Sequence, residues 1–135
     1  MSRQITCFLI DDDQDDQEIF LTVLHSFMPA IHCVTAANGK EGLQKLLAGE
    51  VNPDIIFLDL NMPLMNGKQF LKARHAHEKI KHIPVIILST SSDQETILET
   101  RQLGAKHFIT KPDKFSHWEI SLRSVFQDSN VYAIP

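Results

Sequence analysis

The sequence predicts an α/β fold: a five-stranded parallel sheet, doubly wound by helices as (βα)5. Three observations carry this expectation. Short apolar runs alternate with longer stretches in which apolar residues recur at helical spacing. The run Ile55, Ile56, Phe57, Leu58 has no polar face and is bounded by proline and glycine, as a strand buried on both sides would be. The runs also stop abruptly in polar chemistry, at Asp11, Asp59, Ser89 and Lys111.

Taken in order, residues 5–10 (ITCFLI) form the first strand, cut short by Asp11, Asp12 and Asp13. Asp13 or a neighbour caps the next helix, whose apolar stripe is Ile19, Phe20, Val23, Leu24 and Phe27. Pro29 ends it, and residues 31–36 (IHCVTA) form the second strand. Asn38, Gly39 and Lys40 turn into the second helix, with Leu43, Leu46 and Leu47 facing inward, and Gly49 and Pro53 close it. The 55–58 run is the third strand. After Gly67 comes the third helix, with Phe70, Leu71 and Ala73 as its apolar set, and then a polar loop at 75–82. Residues 83–88 (IPVIIL) form the fourth strand, with Pro84 at a position where proline is tolerated. The hydroxyl-rich residues 89–93 cap the fourth helix, which Ile97, Thr100 and Leu103 mark and Gly104 stops. Residues 106–109 (KHFI) are the fifth strand, followed by Thr110, Lys111 and Pro112. Phe115, Trp118, Ile120, Leu122, Val125 and Phe126 make the fifth helix, with Phe115 and Trp118 expected in its packing. Residues 129–135 read as a loose tail, and nothing remains after the fifth helix for a second domain.

A chain of 135 residues fits one domain with a real core. A net charge of −4 argues against general nucleic-acid binding, so no direct DNA contact is expected. No apolar run reaches bilayer length and no signal-type segment opens the chain, so a cytoplasmic protein without a membrane partner is expected. Cys7 and Cys33, both in strand-like runs, read as buried free thiols. The seven histidines are scattered, and His75 and His77 read as solvated surface.

In parallel sheets ligands bind beyond the carboxyl ends of the strands. Taken alone, Asp59 is an exposed nucleophile, a cation ligand or a turn cap. In the flavodoxin-like strand order 2-1-3-4-5, however, the first and third strands are neighbours, so Asp11, Asp12 and Asp59 converge, flanked by Ser89 and Lys111. Asp59 and Ser89 stand about 30 residues apart, the size of one strand–helix–strand unit. Converging carboxylates repel one another unless a cation joins them, and oxygen-only donors suit a hard ion such as Mg²⁺. A divalent ion, a carboxylate, a lysine and a hydroxyl together suit phosphoryl transfer: the carboxylate attacks phosphorus, and the cations neutralise the equatorial oxygens. Three aspartates after the first strand oppose a flavin phosphate there, and no P-loop occurs. Asp13, Asp15 and Asp16 are expected to be a solvated first helical turn.

The pieces FLIDDD, PDIIFLDLNMPLMNG, IPVIILST and GAKHFITKP, in this order and at these spacings, resemble the receiver domain of two-component response regulators, in particular its single-domain chemotaxis-type and phytochrome-regulator-like members. The resemblance covers nearly the whole chain as one receiver domain, residues 1–135, with no output domain. It implies that Asp59 is the phosphoacceptor and, with Asp11, Asp12 and the backbone carbonyl of Asn61, a Mg²⁺ ligand. It implies that Lys111 binds the phosphoryl group, aimed by a cis bond to Pro112, and that Ser89 and Phe108 are the switch pair. Ser89 stands where threonine is commoner, and Phe108 lacks a phenol hydroxyl. The implied partners are a sensor histidine kinase or histidine phosphotransfer protein and a downstream protein target met by the helix 4–strand 5–helix 5 face; a homodimer is left open. The implied activity is that of a switch with self-phosphorylation and slow autodephosphorylation, not a metabolic enzyme. Two rivals stand beside it. One is a haloacid-dehalogenase-like phosphotransferase, whose DxD Asp11 and Asp13 would supply; the other is a receiver reduced to a binding module.

Overall fold

The computed structural model describes residues 4–128; the expected tail at 129–135 lies outside the described residues. Five strands and five helices alternate: β1 (Thr6–Ile10), α1 (Gln14–Phe27), β2 (His32–Ala36), α2 (Gly39–Leu47), β3 (Ile55–Asp59), α3 (Gly67–His75), β4 (Val85–Ser89), α4 (Gln94–Gln102), β5 (His107–Thr110) and α5 (Phe115–Gln127). All pairings are parallel, and the strand order is β2-β1-β3-β4-β5, as the sequence predicts.

Strand alternation divides the core into two layers. Cys7, Leu9, Ile55, Phe57, Ile86 and Leu88 pack on one face against Phe20 and Leu24 of α1 and Trp118 and Leu122 of α5. Phe8, Ile10, Ile56, Leu58 and Ile87 pack on the other against Leu46 of α2 and Phe70 and Leu71 of α3. β3 and β4 are buried at every position, which explains their unbroken apolar runs. Asp13, Asn38, Asn66 and Asp93 cap α1 to α4, each accepting a backbone N–H three residues on. Cys7 and Cys33 are free thiols facing each other across β1 and β2.

Four inward-facing assignments need correction. Leu47, the last residue of α2, is 47% exposed. On α5 the buried stripe is Trp118, Leu122, Val125 and Phe126; Ile120 lies two positions, about 200°, round the helix from Trp118 and is exposed. Phe115, which opens α5, is exposed as well. On α3 it is Arg74, not Ala73, that is fully buried: its Nη2 donates to the Ile83 carbonyl at 3.0 Å, and Nε has no partner among the described residues.

Two local constraints shape the loop after β3. Gly67 opens α3 against the end of β3, and a Cβ there would meet the Asp59 carbonyl at 2.6 Å and the Leu60 Cα at 2.8 Å. Leu64 is the one non-glycine with positive φ among the described residues, at 67°, inside a tight turn in which Met65 N–H donates to the Pro63 carbonyl at 2.7 Å. Its side chain is 78% exposed, so no packing offsets the strain. Gly67→Ala is expected to lower stability by about 1–3 kcal/mol through overpacking against backbone. Leu64→Gly is expected to raise it by about 1 kcal/mol, because glycine has no Cβ to strain a positive φ. Urea unfolding of both variants checks the opposite signs.

Candidate functional site

Register and alternation decide which side chains meet at the carboxyl edge of the sheet. Ile10 pairs with Leu58, so the next residues, Asp11 and Asp59, stand level on neighbouring strands. Both continue the alternation of Leu9 and Phe57 and so fall on the face that α1 and α5 cover. Ser89 pairs with Thr110, and Lys111, one residue on, shares that face with Ile109. Lys111 N–H also donates to the Ser89 carbonyl at 2.7 Å, which extends the ladder to the lysine itself.

The Lys111 ammonium is almost wholly enclosed, with 7% of its side chain exposed. It lies 2.9 Å from Asp11 Oδ2, 2.7 Å from Asp16 Oδ2 and 3.7 Å from Asp59 Oδ2. Asp11, Asp12 and Asp59 each bring a carboxylate oxygen to within 4.8 Å of the other two. Asp12 is exposed, whereas Asp11 and Asp59 are buried. Asp11 is fixed from its own loop, where Asp13 N–H donates to Asp11 Oδ1 at 2.9 Å and the Gln17 amide donates to the Asp11 carbonyl at 2.6 Å.

The electrostatics follow from burial of like charges. Burial first, and the Asp11 carboxylate second, push Asp59 from its ordinary 3.8 up to about 7, against the pull of Lys111. Burial also raises Asp11, though Asp13 N–H and Lys111 oppose it. For Lys111, burial works against the charged form, but hydrogen bonds to Asp16 and then Asp11 outweigh it and hold the ammonium above its ordinary 10.5. The pocket therefore carries more negative charge than its one lysine balances. Three carboxylate oxygens so close, and no sulfur or nitrogen ligand among them, fit a hard divalent cation.

The remaining expected residues stand nearby in a different relation. Asn61 N–H points to Asp59 Oδ1 at 3.5 Å, a long contact. Ser89 is fully buried and continues the alternation of Ile87, on the opposite face from Asp59; its Oγ accepts Ser91 N–H at 3.2 Å. With Asn61, Asn66, Lys68 and Thr96 it lines a cleft of about 180 Å³. Phe108 is half-buried on the edge of a groove of about 220 Å³ formed with Ile97, Thr100, Ala105 and His107.

Two expectations are corrected here. The described residues contain no cis peptide bond, so the bond to Pro112 is trans; the strand register and the carboxylates aim Lys111 instead. Asp16 is not part of a solvated turn: it makes the shortest ion pair of Lys111. The available signal was positional. Asp16 sits in the first turn of α1, but nothing in the sequence says which acid of that turn reaches across to Lys111 after β5.

An acidic pocket and an enclosed lysine at the carboxyl edge of a doubly wound sheet suit a protein that handles phosphoryl groups. Residues 7–120 match the family model "Response regulator receiver domain", and the chain belongs to that family. It is 36% identical over 104 residues to a protein-glutamate methylesterase/protein-glutamine glutaminase of Bacillus licheniformis, covering 73% of this chain and 28% of that protein. The chain spans only 28–31% of the length of the curated methylesterases it matches. Among solved structures, the phosphorylated cyanobacterial phytochrome response regulator RcpA superposes with a TM-score of 0.85 at 27% identity, covering 93% of both chains. A chain of the CheX–CheY–BeF3–Mg complex from Borrelia burgdorferi superposes with a TM-score of 0.77 at 27% identity, covering 90% of this chain and 89% of that one. Among the described residues no helix is long and apolar enough to cross a membrane.

The raised Asp59 yields a pH prediction for the metal-free protein. Between 3.8, where the unfolded carboxyl ionises, and about 7, where the folded one does, the folded state holds the extra proton. The Asp59 contribution therefore makes stability fall as pH rises through that window and stay flat above it. Asp59→Asn removes the loss, so the variant is expected to be more stable than wild type by about 1–3 kcal/mol at pH 8 and to lose that advantage by pH 4. Thermal melts in chelator across this range check the slope.

Proposed function

We propose that the chain is a phosphoacceptor switch in which Asp59 takes a phosphoryl group from a phosphohistidine on a sensor histidine kinase or histidine phosphotransfer protein. The observation that supports this best is the Lys111 ammonium 3.7 Å from Asp59 Oδ2, beside carboxylates that fit a divalent cation. A carboxylate oxygen of Asp59 attacks phosphorus in line, the P–N bond to histidine breaks, and the histidine nitrogen keeps the electron pair. Lys111 approaches from the face shared with Asp59 and donates to an oxygen of the transferred group, compensating its charge. Asp11, Asp12, Asp59 and the Asn61 carbonyl would hold Mg²⁺, which when bound neutralises phosphoryl oxygens and keeps Asp59 ionised. That the Borrelia complex is described with BeF3 and Mg, and RcpA as phosphorylated, supports the same chemistry here.

Ser89 supplies the hydroxyl that engages the phosphoryl group. To do so it gives up the Ser91 N–H and draws the residue 89–93 loop toward Asp59. Phe108 moves into the space this opens, and the face made by α4, β5 and α5 changes for a downstream protein target. Hydrolysis of the aspartyl phosphate by water, slow and intrinsic, resets the switch, and a second copy of the chain is a further candidate partner. The site of action is the cytoplasm, where a histidine kinase presents its phosphohistidine.

Incubation with a small acyl phosphate and Mg²⁺, read by intact mass, tests the assignment. Wild type is expected to gain one phosphoryl group and Asp59→Ala none, while Lys111→Ala labels about tenfold or more slowly through loss of a charge-assisted contact. Undiminished labelling of Asp59→Ala overturns the proposal.

A further inference from the structure

We infer that Asp16 is a positioning residue for Lys111: it holds the ammonium back from Asp59 and competes with an incoming phosphoryl group for it. This inference rests on the phosphoacceptor reading above. An ammonium has three N–H donors. Two are engaged here, by Asp16 at 2.7 Å and Asp11 at 2.9 Å, and the nitrogen stands a full ångström farther from Asp59 than from Asp16. The lysine is therefore displaced toward α1 and away from the atom that would carry the phosphoryl group.

The local structure commits Asp16 to this contact. It is the third residue of α1, and its backbone N–H already donates to Asp13 Oδ1 at 3.1 Å. Its carboxylate takes no part in capping and crosses to β5 instead. The first turn cannot drift from the site, because Gln17 and Asp13 both tie it to Asp11. The Asp16 side chain is 24% exposed, in contrast to 1% for Asp11. Water screens the Asp16 pair more strongly, so it is the contact an anionic phosphoryl oxygen displaces at lower cost. Asp16 thus acts as a brake on Lys111 that the phosphoryl group releases, and it sets how tightly the occupied state is held.

Beryllofluoride, which mimics a phosphoryl group on a carboxylate, provides the test. Its binding is titrated at saturating Mg²⁺ and followed by ¹⁹F NMR of the bound signal in wild type, Asp16→Asn, Asp16→Ser and Asp16→Glu, with thermal melts confirming that each is folded. The two neutral variants are expected to bind about threefold to tenfold more tightly, the range that removal of a half-buried competing charge spans, and Asp16→Glu to stay near wild type. Neutral variants with an unchanged or weaker midpoint, or a glutamate variant indistinguishable from asparagine, overturn the inference. If wild type itself shows no bound signal with Mg²⁺, it is the phosphoacceptor reading that fails, and the inference with it.

Discussion

The molecule depends on one buried cation among carboxylates. Asp11 and Asp59 are brought level by the pairing of β1 with β3 and are largely shielded from water, an arrangement that repels itself. The Lys111 ammonium is the counter-charge that the chain supplies from its own sequence, and it reaches the pocket because β5 ends level with β4. It does not complete the neutralisation, since Asp59 remains pushed up to about 7. The residual negative charge is what fits the pocket to a divalent cation, and under the proposed function that cation would let it receive an anion.

The fold serves this pocket at a distance. Two apolar layers clamp the sheet so that no strand can slip, and in a parallel sheet a slip of one residue would send Asp59 to the opposite face. The loop after β3 is shaped as tightly: Gly67 lets α3 begin against the Asp59 carbonyl, and Leu64 accepts a left-handed backbone in the same loop. The one non-glycine with positive φ among the described residues thus lies within a few residues of Asp59, whereas before β3 and β5, at the far ends of the strands, positive φ falls on Gly49 and Gly104. That distribution is expected where the backbone serves chemistry before stability.

Much of this was legible in the sequence, for identifiable reasons. Buried parallel strands announce themselves as apolar runs, and in the flavodoxin-like order the acids after β1 and β3 must meet. Asp11, Asp12, Asp59 and Lys111 were therefore readable as a group. Leu47, Phe115 and Ile120 were misplaced because hydrophobicity fixes an inward stripe only where the neighbouring layer extends; at helix ends and off the stripe an apolar residue stays in water. Arg74 was invisible because its long stem buries like a hydrocarbon while its charge suggests the surface. Asp16 was hidden by its company: among five aspartates within six residues, only the rotation of α1 against β1 selects the one that meets Lys111.

The most direct test of the account is to find the carboxyl that becomes an acyl phosphate. Protein treated with a small acyl phosphate and Mg²⁺ and then reduced with borohydride converts a phosphorylated aspartate to homoserine, which peptide mass spectrometry locates. The account predicts homoserine at position 59 and nowhere else in the pocket. Homoserine at position 11, 12 or 13 with position 59 intact would contradict it, because the chemistry would then belong to the end of the first strand and not to the end of the third.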